Sequence, residues 1–468
     1  MKKKIIILLI CYSWISNFLN AQLGDSTIYF KAFIQNILQF HPYVQNLNLQ
    51  TIQKSKAYIL KNRGYFDPKT YYSFDQKLFQ TKNYYSIVNS GIKIPTWIGA
   101  DLKAEYDYNT GLYINSSDFL PPNGLWSAGI SMPVLKNLFI DERRWLLKTA
   151  KLDLKIAEQE YNAEVLDFLS NAVYRYWEWF EAYNKLLIIK NAKDVSYQRL
   201  QATVQSALLG DLPAIDTVET AIQYNNFLLQ YKISEAELQN VKNNIQFFLQ
   251  WDNNKFNFIN NYSFYPEQFN SSNTQNILLE RTYLDSMINQ HPAYKKYQFK
   301  LRNLNIEKRF RIEMLKPELN VTYNALLIPT HPNDVIYNSN NYKWGISFSF
   351  PLLLRKERGD LKLVNLKIRE TINEAEIKRT ELFIKANNYY NLYKVYAEQL
   401  ITINDLIKRY EKMLEAERAK FFAGESSVFL VNARENYLLD ARLKQISFYS
   451  KLNIYKYLFQ ISLGQLPQ

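Results

Sequence analysis

A chain of 468 residues with one cysteine and three histidines cannot be a disulfide-stapled scaffold and has little from which to build a zinc centre. Its 57 Lys and Arg against 44 Asp and Glu give a net charge of +13; the excess is modest for this length and scattered, which argues for solubility and against a nucleic-acid surface. Aromatic residues make up 15% of the chain, 36 of them tyrosine, a content that suits helix seams together with a membrane-facing belt.

The chain opens with Met1-Lys2-Lys3-Lys4, an apolar run from Ile5 to Ile15, and Asn20-Ala21-Gln22. A positive start, a short apolar core and a small residue predict a secretory signal peptide over 1–21, cleaved after Ala21. The run is too short to span a bilayer, and no other stretch approaches the roughly 20 apolar residues of a spanning helix. A lipidated start would need a small residue before Cys11, where Ile10 stands. Cys11 leaves with the leader, so the mature chain can form no disulfide although its compartment permits them. Stability must come from packing or assembly.

Residues 22–63 read as the helix that opens a repeat. Between 64 and 133, eleven Pro and Gly residues punctuate short alternating runs: Thr70 to Phe79, Tyr84 to Ile94, Trp97 to Tyr108 and Leu125 to Met132. Each is about as long as a transmembrane β-strand, although soluble hairpins alternate in the same way. Segment 64–133 is therefore read as strands with external loops, and 81–123 as either an extra hairpin or an external insertion. Trp97, Tyr106, Tyr108 and Trp126 are candidates for a membrane belt, with the filling of a soluble sheet as the alternative.

Residues 134–250 predict a long helix and its return. No Pro or Gly interrupts 134–209, and the stripe from Leu147 through Ala157, Val165, Ala172, Tyr176 and Trp179 to Leu186 makes eleven steps over 39 residues. That is about 3.55 residues per step, between a straight helix and a heptad coiled coil. A helix from near Asp141 to Leu209 is roughly 100 Å long at about 1.5 Å per residue. A second apolar row (Leu152, Ile156, Ala163, Leu166, Val173, Trp177, Phe180) runs along another side of it. Two seams suit a helix in the wall of a single-layer cylinder, although a globular bundle core would also explain the second row.

The chain then repeats itself. Gln39-Phe40-His41-Pro42-Tyr43 returns as Asn289-Gln290-His291-Pro292-Ala293-Tyr294, and Gly129-Ile130-Ser131-Met132-Pro133 as Gly345-Ile346-Ser347-Phe348-Ser349-Phe350-Pro351. Between the halves, 251–290 is polar and Asn-rich and reads as an equatorial linker. The second half gives a helix over 291–316, strands over 317–351, a long helix and its return over 352–463, and a tail over 464–468. Its long helix carries a stripe from Leu382 to Leu414 with a period of about 3.56 residues. Both long helices end at glycine, in Gly210-Asp211-Leu212-Pro213 and Gly424-Glu425-Ser426-Ser427. Glycine closes a helix in the left-handed conformation, and a Pro or short polar residue starts the next.

Strands in a bilayer must close into a barrel, because no backbone edge stays unpaired in hydrocarbon. If each half supplies one pair, a protomer holds four strands; two copies would make a side-chain-filled barrel of eight and three a passage of twelve. The order of these features, twice over, resembles the TolC-type outer-membrane efflux proteins across essentially the whole mature chain. The resemblance implies an α+β membrane protein: a long antiparallel α-helical barrel forming a periplasmic tunnel, joined to a transmembrane β-barrel, built from two internal repeats and trimeric. It implies an outer-membrane exit duct in a tripartite efflux system of a Gram-negative bacterium, extending into the periplasm. Its partners would be outer-membrane lipid, a periplasmic adaptor docked at Gly210, Asp211, Leu212, Pro213, Gly424, Glu425, Ser426 and Ser427, and indirectly an inner-membrane transporter. Acidic residues after the tip glycines narrow such tunnels; Asp216 and Glu219 are the candidates here, since the second half has Leu430 and Ala433 instead. Asp216 equally suits the positive end of a helix.

Nothing points to an enzyme. His41 and His291 are repeat-equivalent residues that begin helices, no His, Cys and Asp residues have ligand spacing, and there is no Gly-rich phosphate loop, so neither cofactor nor metal is expected. A secretion duct for polypeptides and a secreted coiled-coil scaffold without a pore are the alternatives.

Overall fold

The computed structural model describes residues 26–249, 251–252, 255–256, 264–269, 281–331 and 334–467. The leader expected over 1–21 and much of the linker expected over 251–290 lie outside the described residues. In chain order the elements are β1 (Ser26–Ile28), α1 (Phe30–Phe40), α2 (Pro42–Asn48), a π turn over Leu49–Gln53, α3 (Lys54–Arg63), β2 (Lys69–Phe79), β3 (Lys82–Pro95), β4 (Asp101–Thr110) and β5 (Leu125–Pro133). Then come α4 (Glu142–Leu208), α5 (Ala214–Leu249), the short β6 (Trp251–Asp252), β7 (Lys255–Phe256) and β8 (Phe264–Pro266), and α6 (Arg281–Gln290). The chain finishes with α7 (Pro292–Glu313), β9 (Glu318–His331), β10 (Asp334–Ser349), α8 (Arg355–Phe422) and α9 (Val428–Ser462). Two compact units result, one of residues 1–46, 164–288 and 381–468, the other of 47–163 and 289–380.

The first unit is helical. Its core forms where both apolar rows of α4 are covered: Val165, Ala172, Tyr176 and Trp179 of one row and Leu166, Val173, Trp177 and Phe180 of the other are all buried. Phe30 of α1 packs on Tyr176 and on Tyr457 of α9, with ring centroids 5.2 and 4.2 Å away, and Phe33 packs edge-on to Phe248 of α5. Each such ring contributes about 1.5–3 kcal/mol by leaving water. Tyr176 also donates a 2.8 Å hydrogen bond to the Ile28 carbonyl, which ties down β1 where it runs parallel to β8. Burial pushes the Tyr176 hydroxyl far above its ordinary pKa, with the Glu267 carboxylate adding to the shift. It stays a protonated donor.

Helix α5 has two seams. Thr220, Gln223, Phe227 and Ser234 are buried, whereas Ile215, Val218, Ile222, Leu229 and Ile233 are 52 to 70% exposed. At 100° per residue these rows lie on roughly opposite sides of the helix. Segment 281–290, expected as linker, is instead helix α6. Leu284 and Ile288 are buried, and Leu284 packs in a cluster with Ala386, Phe459 and Leu463; its apolar residues are too few for a periodic signal.

The second unit is organised by one open, wholly antiparallel sheet of six strands in the order β10-β9-β5-β4-β3-β2. One pair from each half would have given four. The difference is β3 and β4, which make 82–110 part of the sheet. Trp97, read with a strand and a belt, lies in the turn between them and stacks on Phe66 at 4.2 Å. The β2–β3 hairpin turns on Gln80 and Thr81, with φ of 51° and 62°. Two left-handed residues in a two-residue loop are the geometry that Asn-Gly satisfies without strain. Helix α4 begins where Asp141 Oδ1 accepts the Arg144 backbone N–H at 2.9 Å, capping one of the free donors of its first turn.

Three outcomes are expected. Replacing Gln80-Thr81 by Asn-Gly stabilises the hairpin by about 1–2 kcal/mol, the cost of left-handed backbone at side-chain-bearing residues, read as slower hydrogen exchange in β2 and β3. Tyr176→Phe leaves the Ile28 carbonyl without this donor and loosens β1 by about 1 kcal/mol, read as faster proteolysis at the N-terminal segment. Tyr176→Pro breaks α4 at a cost of about 3 kcal/mol or more and abolishes recovery of folded protein.

Candidate functional site

Cross-strand neighbours share a face of a sheet, so the register sorts side chains into two sets. On one face lie Tyr72 and Phe74 of β2, Val88, Ile92 and Ile94 of β3, and Leu102, Ala104, Tyr106 and Tyr108 of β4. The same face continues with Trp126, Ala128 and Ile130 of β5, Val321, Tyr323 and Ala325 of β9, and Trp344 and Ile346 of β10. No charged residue interrupts it. The opposite face carries Ser73 and Asp75, Asn89 and Lys93, Asp101, Lys103, Glu105 and Asp107, then Ser127 and Ser131, Thr322 and Asn324, and Lys343 and Ser347. Its charges pair among themselves: Lys93 Nζ with Asp101 at 2.9 Å, Lys103 Nζ with Glu105 at 3.6 Å, and Tyr71 donates to Glu105.

The apolar face is exposed: Tyr72 by 70%, Trp344 by 61% and Phe348 by 67%. Strands with a predominantly apolar face, on which Thr70, Gln76, Ser86 and Ser90 are the polar members of β2 and β3, opposite a charged one have the alternation of a transmembrane β-barrel wall, lipid on one side and water on the other. Of the four belt candidates, Tyr106, Tyr108 and Trp126 share the apolar face and Trp97 does not.

The helical ends hold the residues singled out at the glycines. At Gly210 φ is +86° and at Gly424 +77°, with no atom within 4 Å of where a Cβ would stand. Gly210 N–H donates to Ala207 O and Asp211 N–H to Ser206 O; Gly424 N–H donates to Phe421 O and Glu425 N–H to Lys420 O. Both ends are therefore Schellman closures, in which left-handed glycine returns two N–H groups to the last carbonyls. Pro213 directly precedes α5, and Ser427 caps α9 by accepting the Leu430 N–H at 3.4 Å. Leu212 is half-buried, whereas Leu208, Leu209 and Phe422 are 77, 78 and 85% exposed. Asp216 sits half-exposed in the first turn of α5, and Glu219 Oε1 accepts from Asn432 Nδ2 at 3.4 Å. Glu219 thus already has a partner on α9.

Near these ends the helices are laced by polar side chains that the sequence did not single out. Arg199 of α4 donates to both Glu435 carboxylate oxygens and, at 2.9 Å, to Asn432 Oδ1. Arg418 of α8 donates to Glu435 Oε1 at 2.6 Å. Gln223 of α5 donates to Asn436 Oδ1 at 2.9 Å. Burial alone would push the Glu435 carboxyl up; the hydrogen bonds and charges of Arg199 and Arg418 outweigh it and hold the pKa below the ordinary 4.5. Arg199 and Glu435 lie 236 residues apart, so only the topology unites them.

The histidines do begin helices. His41 Nδ1 accepts the Tyr43 N–H and His291 Nδ1 the Ala293 N–H, each at 3.1 Å, with Pro42 and Pro292 at the first helical position. His41 Nε2 donates to the Phe247 carbonyl at 3.1 Å. Burial lowers the His41 pKa more than this bond raises it.

No protein-family model matches the chain, and no curated protein matches it by sequence. Its fold does match solved structures. The Campylobacter jejuni outer membrane channel CmeC aligns at a TM-score of 0.63 and 13% identity, over 93% of this chain and 85% of that one. The open state of the Neisseria gonorrhoeae outer membrane channel MtrE aligns at 0.65 and 11%, over 92% and 88%. CusC aligns at 0.64 and 13%, over 95% and 96%. The chain has the fold of outer-membrane channels.

Glu435→Gln removes the charge that Arg199 and Arg418 share and costs about 1–3 kcal/mol, seen as faster hydrogen exchange at the ends of α4 and α9. Since folding depresses this carboxyl's pKa, its contribution is complete above pH 4.5 and is lost as pH falls through the folded value. The difference between wild type and Glu435→Gln should therefore shrink in acid and nowhere else.

Proposed function

We propose that this chain is an outer-membrane exit duct of TolC type, passively conducting cargo that an inner-membrane transporter delivers through a periplasmic adaptor. The observation that carries the reading is the segregation of the six-stranded sheet into an exposed apolar face and a charged face. A secreted scaffold would have no use for an exposed band of Tyr72, Trp344 and Phe348, and the enzyme reading has no constellation behind it. In this reading the apolar face meets outer-membrane lipid and the polar face lines water.

A homotrimer is the proposed assembly. The row Ile215, Val218, Ile222, Leu229 and Ile233 of α5 is an apolar seam turned away from the protomer's own core, and a second copy would cover it as a neighbouring helix in a cylinder wall. The sequence resemblance and the likeness to channel structures support a periplasmic helical tunnel. The tips, Gly210 to Pro213 and Gly424 to Ser427, are assigned to adaptor docking, with Leu208, Leu209 and Phe422 as the adjoining apolar surface. Asp216 is assigned to the tunnel constriction, and Glu219 is shared between that role and its bond to Asn432.

The test separates insertion from docking. The wild-type protein should fractionate with the outer membrane, require detergent for extraction, and conduct ions in planar bilayers. Replacing Leu208, Leu209 and Phe422 together by serine should leave insertion and conductance intact and lower export in cells at least tenfold. Recovery of wild-type protein in the soluble fraction would refute the duct, whereas undiminished export by the triple variant would refute tip docking alone.

A further inference from the structure

Strands β3 and β4 raise a question of closure that rests on the duct reading. Among the described residues of one chain, β2 pairs only with β3 and β10 only with β9, so the sheet ends in two open edges. In hydrocarbon each edge would leave a row of peptide groups without partners, at several kcal/mol apiece. The number of strands is even and every pairing is antiparallel, so β10 of one copy and β2 of the next also meet antiparallel. Copies of this sheet can therefore close on one another without a mismatched seam.

We infer that the barrel of the trimer is built from six strands per chain, eighteen in all, with β10 of each copy paired to β2 of the next. The alternative is a wall of twelve, in which β2 and β3 stand outside and β4 makes the contact between copies. Two observations oppose it. First, the apolar and polar faces run through β2, β3 and β4 without a break, so these strands carry the same lipid-facing pattern as β5, β9 and β10. Second, the turn between β3 and β4 is fixed to the start of α4. Thr96 N–H donates to Ala100 O within the turn at 2.9 Å, Arg144 Nη1 reaches the Ile98 carbonyl of the turn at 3.5 Å, and Arg143 Nη1 donates to Asp101 Oδ1 at 2.8 Å. Arg143 and Arg144 also hold Asp141, which caps α4. Lys93 of β3, at 2.9 Å, shares Asp101 with Arg143, so β3 itself, and not β4 alone, is tied into the ion-pair network that starts the long helix.

Barrel diameter grows roughly linearly with strand number, so eighteen strands give a passage about 1.5 times as wide as twelve, in the range where barrels hold an open aqueous channel. The membrane section of the duct then admits cargo larger than a twelve-stranded wall would pass.

Disulfide cross-linking in outer membranes tests this, because a bridge requires Cα atoms within about 7 Å. Cysteine pairs on the polar face scan β2 (Lys69, Tyr71, Ser73) against β10 (Lys343, Ser347), and a second set scans β4 (Lys103, Glu105, Asp107) against β10. Oxidation of the first set should give a ladder of covalent species ending at the trimer, and the second set none. A ladder from the second set alone would overturn the eighteen-stranded wall while leaving the duct in place. Absence of the protein from the outer membrane, with no ladder from either set, would overturn both. Electron cryomicroscopy of the unmodified protein in detergent supplies an independent count, eighteen strands in cross-section as expected or twelve against.

Discussion

A peptide group without a hydrogen-bond partner is tolerable in water and costly in hydrocarbon, and this asymmetry governs the second unit. An isolated six-stranded sheet with one face of Tyr, Trp, Phe and Ile would be an aggregation hazard in water, with its edges ready to pair and its apolar face ready to stick. The same sheet is well suited to a bilayer once neighbouring copies supply the missing edge partners. Under the proposed closure, the charges of Asp101, Lys103, Glu105 and Asp107 face water, where their cost is small, and none interrupts the lipid side.

The helical unit meets its own burial requirement by a different route. Around Tyr176 and Trp177, both apolar rows of α4 are covered within one chain, and the rings of Phe30, Phe33, Phe248 and Tyr457 complete the core. Towards the ends the packing becomes polar: Arg199, Arg418, Asn432 and Glu435 replace aromatic contacts with charge-assisted hydrogen bonds. Such bonds depend on geometry and pH in a way that ring packing does not, so these ends are the more adjustable part of the unit. Helix α5 lies between the two regimes, with one seam satisfied in the chain and another left for a neighbour.

Much of this was legible in the sequence because it depends on periodicity. The 3.6-residue stripes marked α4 and α8, the absence of Pro and Gly set their extent, and Gly210 and Gly424 marked closures whose left-handed geometry only glycine adopts without strain. The histidine-proline pairs likewise marked helix starts. What escaped were features without a local signature. The hairpin at Gln80-Thr81 has no Gly, Asn or Pro, so 81–123 stayed undecided between loop and strand. Trp97 falls out of phase with the even-numbered apolar positions of β4 and lies in the turn before that strand, stacked on Phe66. The Arg199–Glu435 pair joins residues in different halves and is visible only once the chain is folded.

The central claim is that the two faces of the sheet meet different solvents. Because the only cysteine, Cys11, falls in the predicted leader, single cysteines at successive positions of β4 from Leu102 to Tyr108 can carry an environment-sensitive fluorophore in protein reconstituted into vesicles with nitroxide-labelled lipid. Quenching should alternate residue by residue, strong at Leu102, Ala104, Tyr106 and Tyr108 and weak at Lys103, Glu105 and Asp107. Uniformly weak quenching along the strand would place the sheet in water and contradict the account.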